Sequence, residues 1–86
     1  VTDEWFVYVL DSKVANRTYV GVAKDVDKRL LEHNGNLPNG AKSTRGFRPW
    51  IVQKVYGPYS KSEAYKVECA IKKLAGEARF NYNHLP

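Results

Sequence analysis

Cysteine is nearly absent from this chain. Cys69 stands alone, which excludes an internal disulfide and any cysteine-rich zinc site and fits a reducing compartment. No run approaches the roughly 18 apolar residues of a membrane span, and no basic-then-apolar leader opens the sequence. The expected location is therefore intracellular, cytoplasmic or nuclear, with no membrane partner. There is no internal repeat, low-complexity tract or linker, so residues 1–86 read as a single domain. Acidic residues are the scarcer charge. Nine Asp and Glu against fourteen Lys and Arg leave +5, and the pI is about 9.4. Such a balance favours polyanionic partners, with nucleic acid ahead of an anionic membrane surface.

Apolar content is 43% and aromatic content 13%, ample for a folded domain. A chain of this size buries roughly 60% of its unfolded surface, so the core is adequate and not generous. The densest apolar run comes first. Residues 4–10 suit a strand buried on both faces, and Thr18-Tyr19-Val20-Gly21-Val22 reads as a second strand, the two closing as a β-hairpin. Symmetric closure around a loop of Asp11 to Asn16 pairs Leu10 with Arg17 and sets Tyr8 opposite Tyr19, with both phenols on one face. Gly21 interrupts the second strand, as a glycine does where another backbone or a ligand comes close.

Asp25 is a helix N-cap leading to Asn34-Gly35, a C-cap pair. Val26, Leu30 and Leu31 form the expected apolar stripe, with Arg29 and His33, one helical turn apart, at its border. No periodicity survives from Gly35 to Pro49, a loop long enough to be functional or mobile. It holds Lys42, Arg45 and Arg48 and no acidic residue. Trp50 to Tyr56 is a third strand, expected to stop at Gly57-Pro58. Ser60 or Ser62 caps a second helix, with Glu63 in capping-box spacing. Ala64, Val67, Ile71, Leu74 and Ala75 face the core, and Gly76 ends the helix. Glu68 falls on that stripe too, where a carboxylate pairs, binds a metal or sits at the edge of the core. The tail, Glu77 to Pro86, gives no clear pattern beyond a short covering turn.

Tyr8, Tyr19, Arg29, His33 and Glu68 together carry what phosphodiester hydrolysis requires. An attacking water must lose a proton, the phosphorane needs positive charge, and the departing alkoxide needs help. Arginine answers the second need, and one divalent cation on one carboxylate answers the third. A phenol is an awkward base at its ordinary pKa of about 10, and His33 is placed to share that task. Each residue also has a plainer reading. A strand tyrosine is usually core, Arg29 an ordinary solvated helix residue, and His33 a favourable charge at a helix C-terminus. Glu68 has Lys72 four residues on as an ion-pair partner. Cys69, mid-helix with no histidine near it in sequence, reads as a small inert thiol.

The order of these residues resembles the GIY-YIG nuclease family. Phe6-Val7-Tyr8 is a degenerate form of the first half of its name motif and Tyr19-Val20-Gly21 a closer form of the second. Lys28-Arg29-Leu30 with His33-Asn34 is similar to its arginine helix. Gly40 to Trp50 looks like the loop of two branches, the small stand-alone bacterial proteins and the nuclease domain of the Slx-type structure-specific endonucleases. Ser62 to Leu74 looks like the segment with the family's metal-binding glutamate. The resemblance covers about residues 5–76. It implies an α+β fold, a three-stranded antiparallel sheet flanked by helices, and a DNA endonuclease using one Mg²⁺ or Mn²⁺. Tyr8 would be the general base or water-positioning phenol, supported by Tyr19. Arg29 would stabilise the transition state, His33 would assist and Glu68 would hold the metal. Lys24, Lys42, Arg45 and Arg48 are the cations expected on DNA phosphates, each adding about one unit of log–log salt dependence. No RING-like zinc module and no separate DNA-recognition domain is present, so a partner protein or second domain would supply specificity. The likeness of the basic loop to that of the Slx-type branch implies nicked, flap or branched DNA as substrate. The rival reading is a nucleic-acid-binding module without catalysis that positions a partner. A double-stranded-RNA-binding domain fits less well, because that module opens with a helix. A protein–protein module would need an exposed apolar patch.

Overall fold

The run from Trp5 to Leu10 has almost no polar break, so it needs cover on both faces, and it takes the central place in the sheet. The computed structural model describes residues 4–82. β1 (Trp5–Ser12) pairs antiparallel with β2 (Thr18–Ala23) on one side and β3 (Trp50–Tyr59) on the other, in the order β2-β1-β3. Val7, Tyr8, Val9 and Leu10 are all buried. Val7 and Val9 join Val20, Tyr56 and the Ala64, Val67 and Ile71 side chains of α2 (Lys61–Lys72) in one apolar cluster. Tyr8 and Leu10 turn the other way to Trp50, with Tyr19 and the Val26 and Leu30 side chains of α1 (Val26–His33) packed against them. One helix covers each face, and the architecture is the α+β arrangement expected.

The hairpin register differs from symmetric closure. Leu10 pairs with Tyr19 rather than Arg17, and Tyr8 faces Gly21 rather than Tyr19. The cause lies in Ser12. Its Oγ accepts from the Val14 and Ala15 amides at 3.2 and 3.1 Å and donates to the Phe47 carbonyl at 2.7 Å, so the turn starts beyond it. The shift is two residues, an even number, and an even shift leaves every side chain on its own face. Tyr8 and Tyr19 are consequently diagonal neighbours, with ring centroids 6.4 Å apart.

Gly57-Pro58 does not end β3 either. Val7 pairs with Tyr56 and Trp5 with Tyr59, so one extra residue is absorbed as a bulge. Gly57 takes φ +126°, and a Cβ there would stand 2.8 Å from the Trp5 carbonyl oxygen. β3 is an edge strand, where a proline removes no ladder hydrogen bond that the sheet needs.

Asp25 caps α1 by accepting from the Lys28 amide at 3.0 Å. Leu31 is not on its buried stripe: it is 44% exposed, while His33 is fully buried in its place. Val26, Leu30 and His33 are spaced i, i+4, i+7, a single face of a helix. Ser60, not Ser62, caps α2 through the Glu63 amide at 3.2 Å. That helix stops at Lys72, short of Gly76, leaving Ala75 exposed and Leu74 half-buried. Arg79, in a 3-10 turn (Gly76–Phe80), donates to the Leu74 and Lys72 carbonyls at 2.8 and 3.1 Å. It satisfies acceptors that another helical turn would otherwise have used. Phe80 and Tyr82 then cover the α2-side cluster; the rest of the tail, with His84, lies outside the described residues. Among the described residues no helix is long and apolar enough to cross a membrane.

Candidate active site

Gly21 seats the centre of the site. It has no side chain, and the Tyr8 phenol lies over it. A Cβ at Gly21 would collide with the hydroxyl and sit 2.5 Å from Cζ. The close approach expected at this glycine is therefore made by the chain's own tyrosine. Tyr8 is only 1% exposed, and its hydroxyl is 2.8 Å from His33 Nε2.

The direction of that bond follows from the next two. His33 Nδ1 is 3.0 Å from Thr44 Oγ1, and Thr44 Oγ1 donates its single proton to the Ala41 carbonyl at 2.8 Å. Thr44 must then accept from His33 Nδ1–H. A neutral imidazole has one N–H, so Nε2 is the acceptor and the Tyr8 O–H donates to it. Burial pushes the His33 pKa down to about 4, helped by the Arg29 and Arg48 charges and partly offset by Glu32. The imidazole is neutral in the folded protein near pH 7. The chain of bonds is complete and runs one way, from Tyr8 through His33 to Thr44 and the backbone.

Burial also raises the Tyr8 pKa well above that of a free phenol. Tyr19 and Glu68 raise it further, and Arg29 opposes them by its charge and by polar contact. Arg29 therefore stands beside the phenol. Its Nη1 donates to Glu32 Oε1 at 2.6 Å and to the Asn39 carbonyl at 2.8 Å, and with its side chain 28% exposed it remains open to an incoming anion. The half-buried Tyr19 completes the group, its ring centroid 4.7 Å from that of His33.

Residues 4–83 match the GIY-YIG catalytic domain. The chain belongs to that family. It is 47% identical over 70 residues to the structure-specific endonuclease subunit SLX1 of Cryptococcus neoformans, covering 77% of this chain and 14% of that protein. A UPF0213 protein of Staphylococcus saprophyticus is 38% identical over 79 residues, 90% of each chain. Another from Cupriavidus pinatubonensis is 32% identical over 82 residues, covering 95% of this chain and 88% of that protein. The chain thus spans about a seventh of the SLX1 relative and nearly all of the two bacterial ones.

Within this GIY-YIG domain Tyr8, Tyr19, Arg29 and His33 come together as one group. Glu68 enters through its charge on Tyr8, and its Oε2 also lies 3.4 Å from Lys72 Nζ, the ion pair its spacing suggested. Among the described residues no three His, Cys, Asp or Glu side chains form a metal cluster, so a closed protein cage does not fit. A hard cation on Glu68 alone does fit, because Mg²⁺ keeps several waters and takes its remaining oxygens from a phosphate.

The loop cations are spread out. Lys42 and Arg45 are exposed at a 3-10 turn (Lys42–Thr44), and Lys24 holds its ammonium 5.2 Å from the Trp5 ring centroid. Arg48 is bound into the fold: its Nε donates to the His33 carbonyl at 2.7 Å, and its guanidinium lies over Gly35. Two residues of the site escaped the sequence reading. Thr44 is buried inside an aperiodic loop, where no pattern marks it. Asn34 accepts from the Trp50 amide at 2.6 Å and donates to its carbonyl at 2.9 Å, tying the end of α1 to the start of β3. Its capping position and its place beside His33 are legible in the sequence, but not its bonds to Trp50.

Proposed function

We propose that this domain is a metal-dependent endonuclease that hydrolyses DNA phosphodiester bonds, with nicked, flap or branched DNA as its preferred substrate. The observation that carries this reading is the one-way hydrogen-bond chain from Tyr8 to His33 beside Arg29. A buried phenol of high pKa cannot wait as phenolate. It can take a proton from an attacking water on its oxygen while its own proton passes to His33 Nε2, so no free charge is held on the phenol. His33 is a weak acceptor at rest because it is buried and, secondarily, because Arg29 is close. As negative charge builds on the phosphorane, Arg29 is neutralised by it, and the imidazole becomes a better base at the moment the proton arrives. Thr44 keeps Nε2 as the accepting nitrogen throughout. Arg29 also supplies preorganised charge to the equatorial oxygens, the kind of contribution that accounts for about 10²–10³ in rate.

Glu68 would hold Mg²⁺ or Mn²⁺, which supplies charge for the departing oxygen. A cation held there would compete with Lys72 for the Glu68 carboxylate. The SLX1 relative is named a subunit, and a protein partner that sets substrate choice belongs to this proposal. The test is cleavage of labelled duplex, nicked, flap and four-way-junction DNA with Mg²⁺ or Mn²⁺, comparing the wild type with Glu68→Ala. The expected result is cleavage that disappears in the variant while DNA binding persists. A wild type that binds all four substrates and cuts none would replace this reading with a non-catalytic clamp.

A further inference from the structure

A second feature adjoins the catalytic group on the outer side of β2. A cleft of about 400 Å³ opens there between β2, the loop before β3 and the end of α2. Three cations (Arg17, Lys72 and Arg79) and three aromatic side chains (Tyr19, Phe47 and Trp50) line it, and no acidic side chain does. Its volume falls within the roughly 300–1,000 Å³ of small-molecule sites.

Of the three cations Arg79 is built into the fold, while Arg17 and Lys72 are exposed and Lys72 Nζ lies 3.4 Å from Glu68 Oε2. Arg79 spends its guanidinium on neutral acceptors, the Leu74 and Lys72 carbonyls and Thr18 Oγ1 at 2.9 Å. Its charge is fixed in place by groups that do not cancel it. Arg17 sits over Phe47, with its Cζ 4.8 Å from the ring centroid, a cation–π contact. Phe47 is itself held, since its carbonyl accepts from the buried Ser12. The Trp50 indole, buried and lining the cleft, is fixed by its N–H bond to the Thr44 carbonyl at 2.7 Å. The result is an aromatic surface under positive charge, with Arg17 over Phe47 and Arg79 fixed beside them.

We infer that this cleft takes one unpaired nucleotide of the DNA substrate, its base stacked on the Arg17–Phe47 platform and its phosphate drawn to Arg79 and Lys72. Bases stack on aromatic rings and guanidinium planes whatever their sequence. Tyr19 belongs both to the cleft and to the catalytic group, so a strand whose scissile phosphate rests at Arg29 runs directly past it. A fully paired duplex cannot offer a free base, so the cleft favours a nucleotide beside a branch or in a flap. None of Lys24, Lys42, Arg45 and Arg48 lines it. This inference rests on the nuclease reading for the direction of the strand, and its test is kept separate from cutting.

The test uses the whole 86-residue chain with Ca²⁺ in place of Mg²⁺, and flap DNA with 2-aminopurine as the unpaired nucleotide next to the branch. Binding should quench its fluorescence, and 2-aminopurine inside a paired duplex of the same sequence should not respond. Arg17→Gln should abolish the quench and cut the preference for flap over duplex about tenfold, since one stacked base is worth roughly 1–3 kcal/mol. Phe47→Leu keeps apolar packing and removes the ring, and should behave in the same way with a circular dichroism spectrum of the wild type. An unchanged quench and an unchanged flap preference in both folded variants would overturn the inference. Equal quenching of free 2-aminopurine nucleotide at the same protein concentration would also overturn it, in favour of a mononucleotide site. If the quench appears and depends on Arg17 while no substrate is ever cut, the cleft stands and the nuclease reading fails.

Discussion

β1 sends Val7 and Val9 to one face of the sheet and Tyr8 and Leu10 to the other, and the two faces are covered very differently. Under α2 the two valines meet Val20, Ala64, Val67 and Ile71, with Tyr56 at the margin turning its hydroxyl to the Arg79 carbonyl at 2.6 Å. Under α1 the fully buried side chains include Tyr8, His33 and Thr44, three polar groups that are tolerated there because each satisfies the next. Burying a neutral donor or acceptor without a partner costs roughly 1–3 kcal/mol, so this face depends on its bonds being complete. The difference shows a division of labour within a single strand. One face stabilises the sheet by excluding water, and the other spends part of that stability on a fixed proton path.

The strongest way to break the comparison is to strike the polar face where it touches substrate. Arg29→Ala should lower the cutting rate about 10²–10³-fold, with little change in thermal midpoint, because the side chain is partly exposed and its ion pair with Glu32 is a local one. A loss of folding in parallel would mean that Arg29 holds the structure instead. The apolar face should answer in the opposite way. Ile71→Ala, at a fully buried position, should cost about 2–5 kcal/mol in urea denaturation, while the rate per folded molecule stays near that of wild type.

Acid should separate the faces next. His33 keeps a pKa of about 4 when folded against about 6.5 when unfolded. Between those values the unfolded chain binds the extra proton and the folded one refuses it. Stability is therefore complete above pH 6.5, falls as pH drops toward 4 with a limiting slope of about 1.4 kcal/mol per unit, and levels off below. Urea titrations at several pH values, with His33→Gln subtracted, should recover that component. Its absence would mean the imidazole is charged in the fold. The smallest effect is expected at Thr44→Val, which removes both the acceptor for His33 Nδ1–H and the donor to Ala41. It should cost about 1–2 kcal/mol, move the acid limb of the cutting rate, and be rescued by Thr44→Ser. A rate lost with no change in pH profile would make Thr44 a packing residue only.

Much of this was legible before any coordinates. Tyr8, Tyr19, Arg29 and His33 are legible as one group and do come together, and both phenols share a face because the hairpin register differs from symmetric closure by an even number of residues. The register lies two residues from symmetric closure because hydrogen bonds to Ser12 decide where the turn begins, and one of them reaches Phe47 across 35 positions. Leu31 and His33 exchanged places for a related reason. Helical spacing allows either on the inner edge, and a histidine is buried only when donors and acceptors from elsewhere meet it.

What the sequence determined by itself was local: strand and helix periodicity, the cap at Asp25 and a serine cap at 60 or 62, the sign of the charge, and the residue types able to handle a phosphate. Only the tertiary structure decided the rest. It closed Tyr8, His33, Thr44 and the Ala41 carbonyl into a directed chain, committed Arg48 and Arg79 to backbone carbonyls, and set Arg17 on Phe47 beside Tyr19. Those outcomes depend on partners far apart in the chain. Periodicity reports which way a side chain points, while a hydrogen bond needs to know what has been folded against it.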